Sequence, residues 1–308
     1  MRLYRNLEAL KRLDSQRRVV TVGAYDGVHL GHQEIIHQLK AKANEYGCLS
    51  LVLCFEPIPR EFFAPTNPPS RLTCFRERFE LLGGLGIDEM FCARFSGLQD
   101  LTPESFIRHL LVEALNVSHV VIGHDFRFAY NRLGTPDDLS SAGKRYGFGV
   151  TTVPAVYWED HRVSSTSIRK ALRAGAMEQA REMLDREYSI SGRVVHGLGL
   201  GRKLGFPTAN VNLNRRQTPV DGIFAARVTG VDKNALDAVA SVGVRPTVGG
   251  DKPLLEVFIF DFDRDIYGDY ITVQFVRRLR EERMFSNLDA MKRQMQKDAI
   301  EARETLAA

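Results

Sequence analysis

Hydrophobic and polar positions follow two different patterns along this chain, and the change falls near residue 187. From residue 19 to about 185, short apolar runs alternate with longer segments in which apolar residues recur every three or four positions. The short runs predict buried strands, and the longer segments predict helices. Because strands separated by helices are typical of parallel sheets, we predict an α/β domain with helices on both faces of a parallel sheet.

The elements predicted for this first region have definite bounds. The strands are Val19–Val22, Ser50–Phe55, Glu89–Phe95, His119–Ile122 and Val150–Val153. The helices are Gln33–Tyr46, Cys74–Leu85, Pro103–Leu115, Pro136–Tyr146, Thr166–Ala174 and Met177–Arg186. Two helix starts carry a local signal, because Thr102 and Thr135 each place a capping hydroxyl before a proline at the first helical position.

The second region predicts an antiparallel structure. Its strands are Tyr188–Val195, Gly222–Thr229, Ala238–Val244, Leu254–Phe260 and Tyr270–Val276, and clusters of Gly, Pro, Asn and Asp separate them. Short strands divided by turn residues favour a small β-barrel. Residues 286–289, S-N-L-D, predict a capping box before a final helix over Leu288–Thr305. We therefore predict two domains, residues 1–186 and 187–308.

Composition narrows the class of protein. A length of 308 residues suits two domains, and 44% hydrophobic with 26% charged residues is ordinary for a globular protein. The net charge of +4 suits small anionic substrates and does not require nucleic acid. The four cysteines lack the spacing of a disulfide framework or a zinc site. Without a signal-like or membrane-length apolar run, we expect a cytoplasmic protein with no membrane, nucleic-acid or obligate protein partner.

Residues 23–32, G-A-Y-D-G-V-H-L-G-H, lie between the first predicted strand and the helix that follows it. Glycines let the backbone approach a phosphate, and a helix start offers unpaired N–H groups and the positive end of its dipole. Two histidines three positions apart share a helical face and can donate hydrogen bonds to a reacting phosphate. A surface pair or partial metal site is the alternative, but metal-ligand partners at suitable spacing are missing. We predict nucleotide binding, with phosphate contacts from Gly23, Asp26, Gly27 and Gly31 and catalysis by His29 and His32.

Two further segments of the first domain are candidates for binding. Residues 123–128, G-H-D-F-R-F, place a carboxylate between a strand and two phenylalanines, which suits an aromatic ring system but is also common in core packing. Residues 164–169, S-S-T-S-I-R, place two hydroxyls and an arginine on a first helical turn. That arrangement can bind a phosphate, although by itself an ordinary helix cap with a solvated arginine is the more common interpretation.

The second domain carries its chemistry in two segments. Residues 197–205 lack the spacing of a dinucleotide fingerprint, and no P-loop sequence occurs, so any kinase here is of another kind. Residues 206–210, F-P-T-A-N, by themselves favour a turn with an Asx cap. Glu256 shares a strand face with Phe258 and Phe260. A carboxylate in so apolar a strand costs free energy unless it is paired, solvated or functional, and structural ion pairing is an equal alternative.

Taken together, these motifs resemble the bifunctional FAD synthetases of bacteria over about residues 15–305. The segment at 23–32 is similar to the G-x-F-D-G-x-H-x-G-H signature of nucleotidylyltransferases. The resemblance implies a Rossmann-like FMN adenylyltransferase domain, followed by a riboflavin kinase-like antiparallel barrel with a C-terminal helix. It also implies that riboflavin becomes FMN and then FAD at the expense of two ATP molecules, with Mg²⁺ as cofactor.

The same resemblance implies roles for individual residues. Glu256 is the base that takes the riboflavin 5′-hydroxyl proton, and Thr208 and Asn210 hold Mg²⁺. Arg169 joins the two histidines in adenylyl transfer. The implied ATP or phosphate contacts are Ser165, Thr166, Gly201, Lys203 and Gly205, and the implied flavin contacts are Asp125, Phe126, Phe128 and Arg132.

The chain departs from the family pattern at a few positions. Ile58 and Phe258 stand where many relatives have histidine, Ala129 where glycine is usual, and Tyr25 where phenylalanine is usual. These changes leave two alternatives open: an enzyme with one active module, and a flavin-binding regulator without activity. The retained histidines, Thr208, Asn210 and Glu256 disfavour the regulator. A tRNA-charging enzyme is disfavoured because a K-M-S-K-S-like element and an anticodon-sized basic domain are missing.

Overall fold

The computed structural model describes residues 1–7, 16–197, 200–247 and 250–307. The chain divides into two compact units. The first unit comprises Met1–Pro69 and Arg78–Ser164, and the second comprises Ser70–Glu77 and Ser165–Ala308. Within the described ranges, no helix has both the length and the apolar character needed to cross a membrane.

The first unit is built on a six-stranded parallel sheet with the order β1-β4-β3-β2-β5-β6. Its strands are β1 (Arg2–Tyr4), β2 (Arg18–Val22), β3 (Leu49–Glu56), β4 (Glu89–Arg94), β5 (Val117–Gly123) and β6 (Gly149–Val153). The predicted parallel α/β sheet is therefore confirmed. Strand β1 was not predicted, because three residues with a single buried side chain carry no hydrophobic pattern. A two-stranded ribbon, β7 (Tyr157–Trp158) and β8 (His161–Arg162), follows the sheet.

Helices connect the parallel strands. They are α1 (Leu30–Tyr46), α2 (Pro59–Phe63), α3 (Phe75–Gly84), α4 (Pro103–Ser105, continuing as a π-helix over Phe106–Ala114) and α5 (Pro136–Tyr146). Both predicted caps are confirmed, since the Ser105 amide donates to Thr102 Oγ1 at 3.2 Å and the Asp138 amide donates to Thr135 Oγ1 at 3.2 Å. The π-helical winding after Ser105 has no signature in the sequence.

Strand order determines where this unit can bind a ligand. From β2 the chain moves outward to β3 and β4, and it then returns to place β5 on the other side of β2. Such a reversal leaves a crevice beyond the carboxyl ends of the two central strands, which is where ligands bind in open parallel sheets. Residues 23–32 leave β2 at this edge, and residues 124–134 leave β5 there. The sheet therefore brings two of the predicted motifs to one crevice.

The second unit contains a closed antiparallel barrel with the order β10-β13-β12-β11-β14-β9. Its strands are β9 (Tyr188–Val195), β10 (Ala209–Asn212), β11 (Gly222–Thr229), β12 (Leu236–Thr247), β13 (Gly250–Ile259) and β14 (Tyr270–Arg280). Its helices are α6 (Ser165–Arg173), α7 (Met177–Leu184), α8 (Leu200–Lys203) and α9 (Leu288–Ala307). The predicted barrel with a C-terminal helix is confirmed, and β10 is an addition where a turn was the simplest interpretation.

Strand β13 shows how the barrel separates its core from its outer face. Leu255, Val257 and Ile259 are buried in the core, whereas Glu256 and Phe258 between them are half-buried. Ala302 and Leu306 of α9 pack in one apolar cluster that includes Phe258 on the outside of the barrel. Because side chains alternate along a strand, Glu256 must leave the core and lie on the face that α9 covers in part.

The start of α9 corrects one prediction. The helix begins at Leu288, so Asn287 occupies the cap position, and its Oδ1 accepts from the Ala290 amide at 2.8 Å. The predicted capping box with Ser286 as the cap residue is therefore wrong by one position. Asparagine and serine are equally good caps, so the sequence alone did not distinguish these neighbours.

Residues 70–77, which include the start of α3, belong to the same compact unit as the barrel. Glu77 accepts two hydrogen bonds from Arg215 Nη2, at 2.7 and 2.8 Å, and one from the Ser191 amide at 2.7 Å. Both partners of this ion pair are buried. A buried carboxylate paired on several sides is strongly held, because removing either partner leaves an uncompensated charge. This pair explains why residues 70–77 belong to the second unit.

Candidate functional site

The histidine turn begins directly after β2. Gly27 has φ +90° and Val28 φ +42°, so the chain reverses sharply before α1 begins at Leu30. His29 is the cap residue of α1, and its carbonyl accepts from the His32 amide at 2.7 Å. Helix α1 therefore starts three residues earlier than predicted. Both histidines lie at the positive end of a 17-residue helix, as an anion-binding turn requires.

The two histidine rings stack on each other. Their centroids are 3.7 Å apart with 17° between the ring planes, and the Tyr25 ring lies 4.8 Å from that of His32. Tyr25 is buried, its hydroxyl lies 2.6 Å from Thr21 Oγ1, and burial raises the pKa of its phenol. The prediction that the histidines share a face is confirmed.

Neighbouring side chains explain two of the motif glycines. A Cβ at Gly23 would lie 3.0 Å from the Tyr25 ring, and one at Gly31 would lie 3.3 Å from the His29 ring. Both distances are shorter than ordinary van der Waals contacts. These glycines therefore let the aromatic rings pack against the backbone, a role that the sequence analysis did not consider. Asp26 lies in the same turn and is also buried.

A cavity of about 890 Å³ opens at the carboxyl edge of the parallel sheet. Residues that follow β2, β3, β4 and β5 line it, including Gly23, Pro59 and Phe95. All four predicted flavin contacts also line this cavity, namely Asp125, Phe126, Phe128 and Arg132. The structure thus brings these residues together with the start of the histidine turn, while flavin binding by them stays a prediction.

One wall of this cavity is aromatic. Phe126 and Phe128 stack with ring centroids 5.6 Å apart and 14° between their planes, and the Phe106 ring lies 5.0 Å from that of Phe128. A Cβ at Gly134 would lie 2.6 Å from the Phe128 ring, so this position admits only glycine without movement of the ring. Stacked rings beside an open volume suit a planar aromatic ligand.

Asp125 is held at the rim of the cavity by Arg162 of β8. The Arg162 Nη2 atom donates to Asp125 Oδ2 at 2.5 Å. Partial burial acts to raise the pKa of Asp125, but the hydrogen bond and charge of Arg162 outweigh it, so the pKa lies below its usual value. Sequence reasoning missed Arg162, because a single arginine in a polar stretch carries no signal of its partner.

Ala129 occupies a backbone conformation that is almost exclusive to glycine. Its φ is +65° and its ψ is −172°. In this region the Cβ of an ordinary residue is crowded, at a cost on the order of 1–3 kcal/mol. The departure from the family glycine therefore stores strain in the loop that lines the 890 Å³ cavity.

We expect Ala129→Gly to stabilise the first unit by about 1 kcal/mol, because relief of strain exceeds the greater chain entropy of glycine in the unfolded state. The measurement is urea unfolding followed by the fluorescence of Trp158, the single tryptophan of the chain. Ala41→Gly on the exposed face of α1 is the matched control, and it should destabilise by about 0.5–1 kcal/mol. A lower unfolding midpoint in Ala129→Gly would contradict this account.

Arg78 is a second residue that sequence reasoning missed. Its side chain is fully buried, and its Nη1 donates to the Ala24 carbonyl in the histidine turn at 3.0 Å. Its Nη2 donates to Glu56 Oε2 at 3.1 Å and to the Phe55 carbonyl at 3.5 Å. One guanidinium thus connects the turn after β2 with the end of β3. The sequence carries no signal of this contact, because Arg78 lies 54 residues after Ala24.

We expect Arg78→Lys to lower about tenfold the rate of the adenylyl transfer that the resemblance implies, because a single ammonium group cannot make the bonds of a planar fork to both segments. Steady-state rates with FMN and ATP measure the effect. The rate of riboflavin phosphorylation reports on folding of the other unit and should not change. Arg145→Lys on exposed α5 is the matched control. Equal rates for Arg78→Lys and the control would contradict a positioning role.

Ser165 and Thr166 lie on the first turn of α6, as predicted. Arg169 is buried, and its Nε donates to the Ser70 carbonyl at 2.6 Å and its Nη1 to the Ser165 carbonyl at 3.1 Å. The alternative of a solvated arginine is therefore wrong. These residues belong to the second compact unit and the histidine turn to the first, and their part in phosphate binding and catalysis stays a prediction.

In the barrel, two of the predicted site residues are directly opposite one another. Asn210 of β10 pairs with Glu256 of β13 in the antiparallel ladder. Side chains at opposed positions lie on the same face of a sheet, about 5 Å apart at their Cβ atoms. Thr208 immediately precedes β10. Because Asn210 lies within a strand, the alternative of an Asx-capped turn at this residue is wrong.

The glycine loop before β10 fits closely around the Thr208 and Asn210 side chains. A Cβ at Gly197 would lie 2.2 Å from Asn210 Nδ2, and one at Gly201 would lie 3.0 Å from Thr208 Oγ1. The predicted contact Gly205 has φ +87° at the end of this loop. Lys203 ends α8, and its side chain lies outside the described residues.

The Thr208 and Asn210 side chains supply the hard oxygen ligands that Mg²⁺ prefers. Asn210 is 7% exposed. Among the described side chains, no cluster of three or more His, Cys, Asp or Glu residues could hold a metal ion. A cation in the barrel would therefore depend on the hydroxyl and amide oxygens together with phosphate oxygens of a substrate, and the residues present fit that arrangement.

Two cavities meet at Thr208. The larger, of about 550 Å³, lies against the outer face of the barrel and is lined by Glu256, Phe206 and Phe258 among others. The smaller, of about 330 Å³, is lined by Arg202, Pro207 and Tyr267 among others. Thr208 lines both. Ligands in the two cavities would therefore both lie beside the Thr208 side chain.

These features define a class of protein. A glycine–histidine turn at the reversal point of a parallel sheet is suited to bind nucleotide phosphates. A carboxylate opposite an amide, with a hydroxyl that lines two cavities of the barrel, is suited to phosphoryl transfer without a P-loop. These features are those of a nucleotide-dependent transferase.

Comparisons with known proteins identify the family. The FAD synthetase family model matches residues 11–167, and the riboflavin kinase family model matches residues 184–306. Two bacterial proteins named bifunctional riboflavin kinase/FMN adenylyltransferase are similar to nearly the whole chain. The one from Pseudomonas fluorescens is 42% identical over 309 residues, which cover 100% of this chain and 98% of the relative. The one from Escherichia coli K12 is 40% identical over 305 residues, which cover 99% of this chain and 97% of the relative.

A solved structure agrees in fold. The crystal structure of a Streptococcus pneumoniae protein named macrolide-efflux protein is similar with a TM-score of 0.82 and 30% sequence identity, covering 98% of both chains. The chain belongs to the family of bifunctional riboflavin kinases/FMN adenylyltransferases. The predicted resemblance to bacterial FAD synthetases is confirmed.

Proposed function

We propose that this enzyme makes FMN from riboflavin in the barrel and FAD from FMN at the histidine turn, using one ATP for each step. The observation that carries the proposal is the opposition of Asn210 and Glu256 beside Thr208, in a chain that also keeps both stacked histidines. We assign adenylyl transfer to residues 1–186 and the kinase to residues 187–308. A cytoplasmic location and the lack of further partners remain predictions from the sequence.

In the kinase step, Glu256 accepts the proton of the riboflavin 5′-hydroxyl. The hydroxyl oxygen attacks the γ-phosphorus of ATP, and the bond from that phosphorus to ADP breaks. Riboflavin occupies the 550 Å³ cavity, whose aromatic wall suits its ring, and ATP occupies the 330 Å³ cavity. Thr208 lies between them. A Mg²⁺ ion held by Thr208 and Asn210 would offset the negative charge of the phosphates.

In the adenylyl-transfer step, a phosphate oxygen of FMN attacks the α-phosphorus of the second ATP, and the bond to pyrophosphate breaks. His29 and His32 donate hydrogen bonds to the charge that develops there, and the start of α1 adds its dipole. Arg169, Ser165 and Thr166 contribute further phosphate contacts. No covalent enzyme intermediate is needed, because the FMN phosphate is itself the nucleophile.

A time course with purified protein, riboflavin, ATP and Mg²⁺, with flavins separated by chromatography, tests the proposal. We expect FMN to appear first and FAD to follow. FMN without FAD would mean that the histidine site is inactive, and FAD from added FMN alone would mean that the barrel is inactive. Bound but unchanged flavin would support a non-catalytic regulator and contradict the proposal.

A further inference from the structure

A second carboxylate lies beside the proposed base. Glu282 lines the same 550 Å³ cavity as Glu256. It accepts a hydrogen bond from Ser241 Oγ at 3.4 Å. Ser241 in turn pairs with Glu256 across β12 and β13, so both side chains lie on the outer face of the barrel. Ser241 therefore neighbours Glu256 in the sheet and donates a hydrogen bond to Glu282.

The backbone leaves space for the Glu282 carboxylate. A Cβ at Gly243 would lie 2.2 Å from Glu282 Oε1 and 2.3 Å from Oε2. Glycine at this position lets the carboxylate pack against strand β12, two residues from Ser241. Partial burial raises the pKa of Glu282, and the negative charges of Asp221 and Glu256 raise it as well. The hydrogen bond from Ser241 lowers it, but the pKa stays above its usual value. Two carboxylates in one cavity repel each other, and such arrangements are more common at functional sites than elsewhere.

The substrate of the proposed kinase step needs such a group, and this inference rests on that proposed function. Riboflavin joins a flat ring to a polyol chain whose last hydroxyl reacts. Phe206, Phe258 and Phe285 give the cavity apolar walls for the ring. The other hydroxyls of the chain must also leave water, and each costs free energy unless it finds a hydrogen-bond partner.

Most polar side chains of this cavity are already engaged. Arg280 and Asp298 form two parallel hydrogen bonds, at 2.9 and 2.6 Å. Arg283 donates to Gln294. Thr208 and Glu256 belong to the reacting end of the substrate in the proposed mechanism. These assignments leave Glu282 as the hydrogen-bond acceptor for the polyol chain. It accepts from Ser241 and lines the same cavity as the proposed base.

We propose that Glu282, oriented by Ser241 and seated against Gly243, binds the polyol hydroxyls of riboflavin and makes the barrel selective for flavins that carry this chain. An ionised carboxylate has several lone pairs and accepts from two neighbouring hydroxyls at once. Such charge-assisted hydrogen bonds are stronger than neutral ones. Loss of the carboxylate should therefore weaken the binding of riboflavin.

The test uses the full-length enzyme and the initial rate of FMN formation. Lumiflavin, which has the same ring with a methyl group in place of the polyol chain, serves as a competitive inhibitor of that reaction. In Glu282→Ala we expect the KM for riboflavin to rise roughly tenfold to a hundredfold. The inhibition constant of lumiflavin should stay within about twofold of wild type, because the ring contacts are unchanged.

Two more variants sharpen the result. Gly243→Ala keeps the charge but places a carbon where the carboxylate lies, so we expect the KM for riboflavin to rise and the lumiflavin constant to stay unchanged. Glu281→Ala removes a neighbouring exposed carboxylate and should leave both constants unchanged. FMN-to-FAD conversion by each variant verifies folding of the rest of the chain.

Three outcomes would overturn the inference. One is an unchanged KM for riboflavin in Glu282→Ala. If the wild-type enzyme forms FMN at a normal rate, this result overturns the inference and leaves the proposed function intact. Another is equal weakening of riboflavin and lumiflavin, which would assign Glu282 to the ring or to general packing. The third is a shift in the pH profile of kcat without a change in KM, which would mean that Glu282 acts only on the charge of Glu256.

Discussion

We expect Glu256→Gln to abolish FMN formation from riboflavin and to leave conversion of FMN to FAD at its wild-type rate. The amide fills the same volume as the carboxylate but cannot accept the hydroxyl proton. Loss of a positioned general base lowers a rate by about 10²–10⁴-fold. The side chain lies opposite Asn210 and lines the larger barrel cavity, so no other described carboxylate has this relation to Thr208 and Asn210.

The measurement is the initial rate of each step, with product flavins separated by chromatography. Glu304→Gln on the exposed face of α9 is the matched control and should change neither rate. Glu256→Gln with near-normal kinase turnover would remove Glu256 as the base. Loss of both activities together would indicate a folding defect instead, and a circular dichroism melt of the variant distinguishes that case.

We expect His29→Ala and His32→Ala each to lower the rate of adenylyl transfer by roughly a hundredfold or more and to leave the kinase rate unchanged. The physical reason is that preorganised donors stabilise charge that appears only in the transition state, where removal of one donor has an effect of this size. The rings stack at 3.7 Å, so loss of one also frees the other to move. The two effects should therefore be less than additive in the double variant.

His37→Ala is the matched control, because His37 lies on the same helix with its side chain 77% exposed. We expect it to retain wild-type rates for both steps. Separate values of kcat and KM for ATP decide the role of the pair. A rise in KM with unchanged kcat would make the histidines ATP-binding residues only, since it would show equal stabilisation of ground and transition states.

Local signals in the sequence predicted most elements of both units. The bounds of α5, β9 and β11 match the predicted Pro136–Tyr146, Tyr188–Val195 and Gly222–Thr229 residue by residue. These segments combine a clear period with caps or turn residues at both ends. The elements that were missed are short: β1, β7 and β8 have two or three residues each, and α2, α8 and β10 have four or five. In so short a segment, hydrophobic periodicity cannot be distinguished from chance.

The candidate sites were predicted unevenly for the same reason. His29 and His32 were predicted because they lie in one short motif, whose spacing places both on the same helical face. Arg78 and Arg162 were missed, and Glu282 was not singled out, because each acts with a partner distant in sequence. Arg78 contacts Ala24, Arg162 contacts Asp125, and Glu282 contacts Ser241. Only the folded chain brings these pairs together.

The sequence by itself determined the two fold classes, the histidine turn, the apolar strand that carries Glu256 and the family to which the chain belongs. Each depends on neighbours along the chain, where periodicity, caps and glycines act over a few residues. Tertiary structure alone decided the order of the parallel strands, the closure of the barrel through β10 and the row that joins Asn210, Glu256 and Ser241. These depend on strand pairing between distant segments, and no local pattern specifies which strands become neighbours.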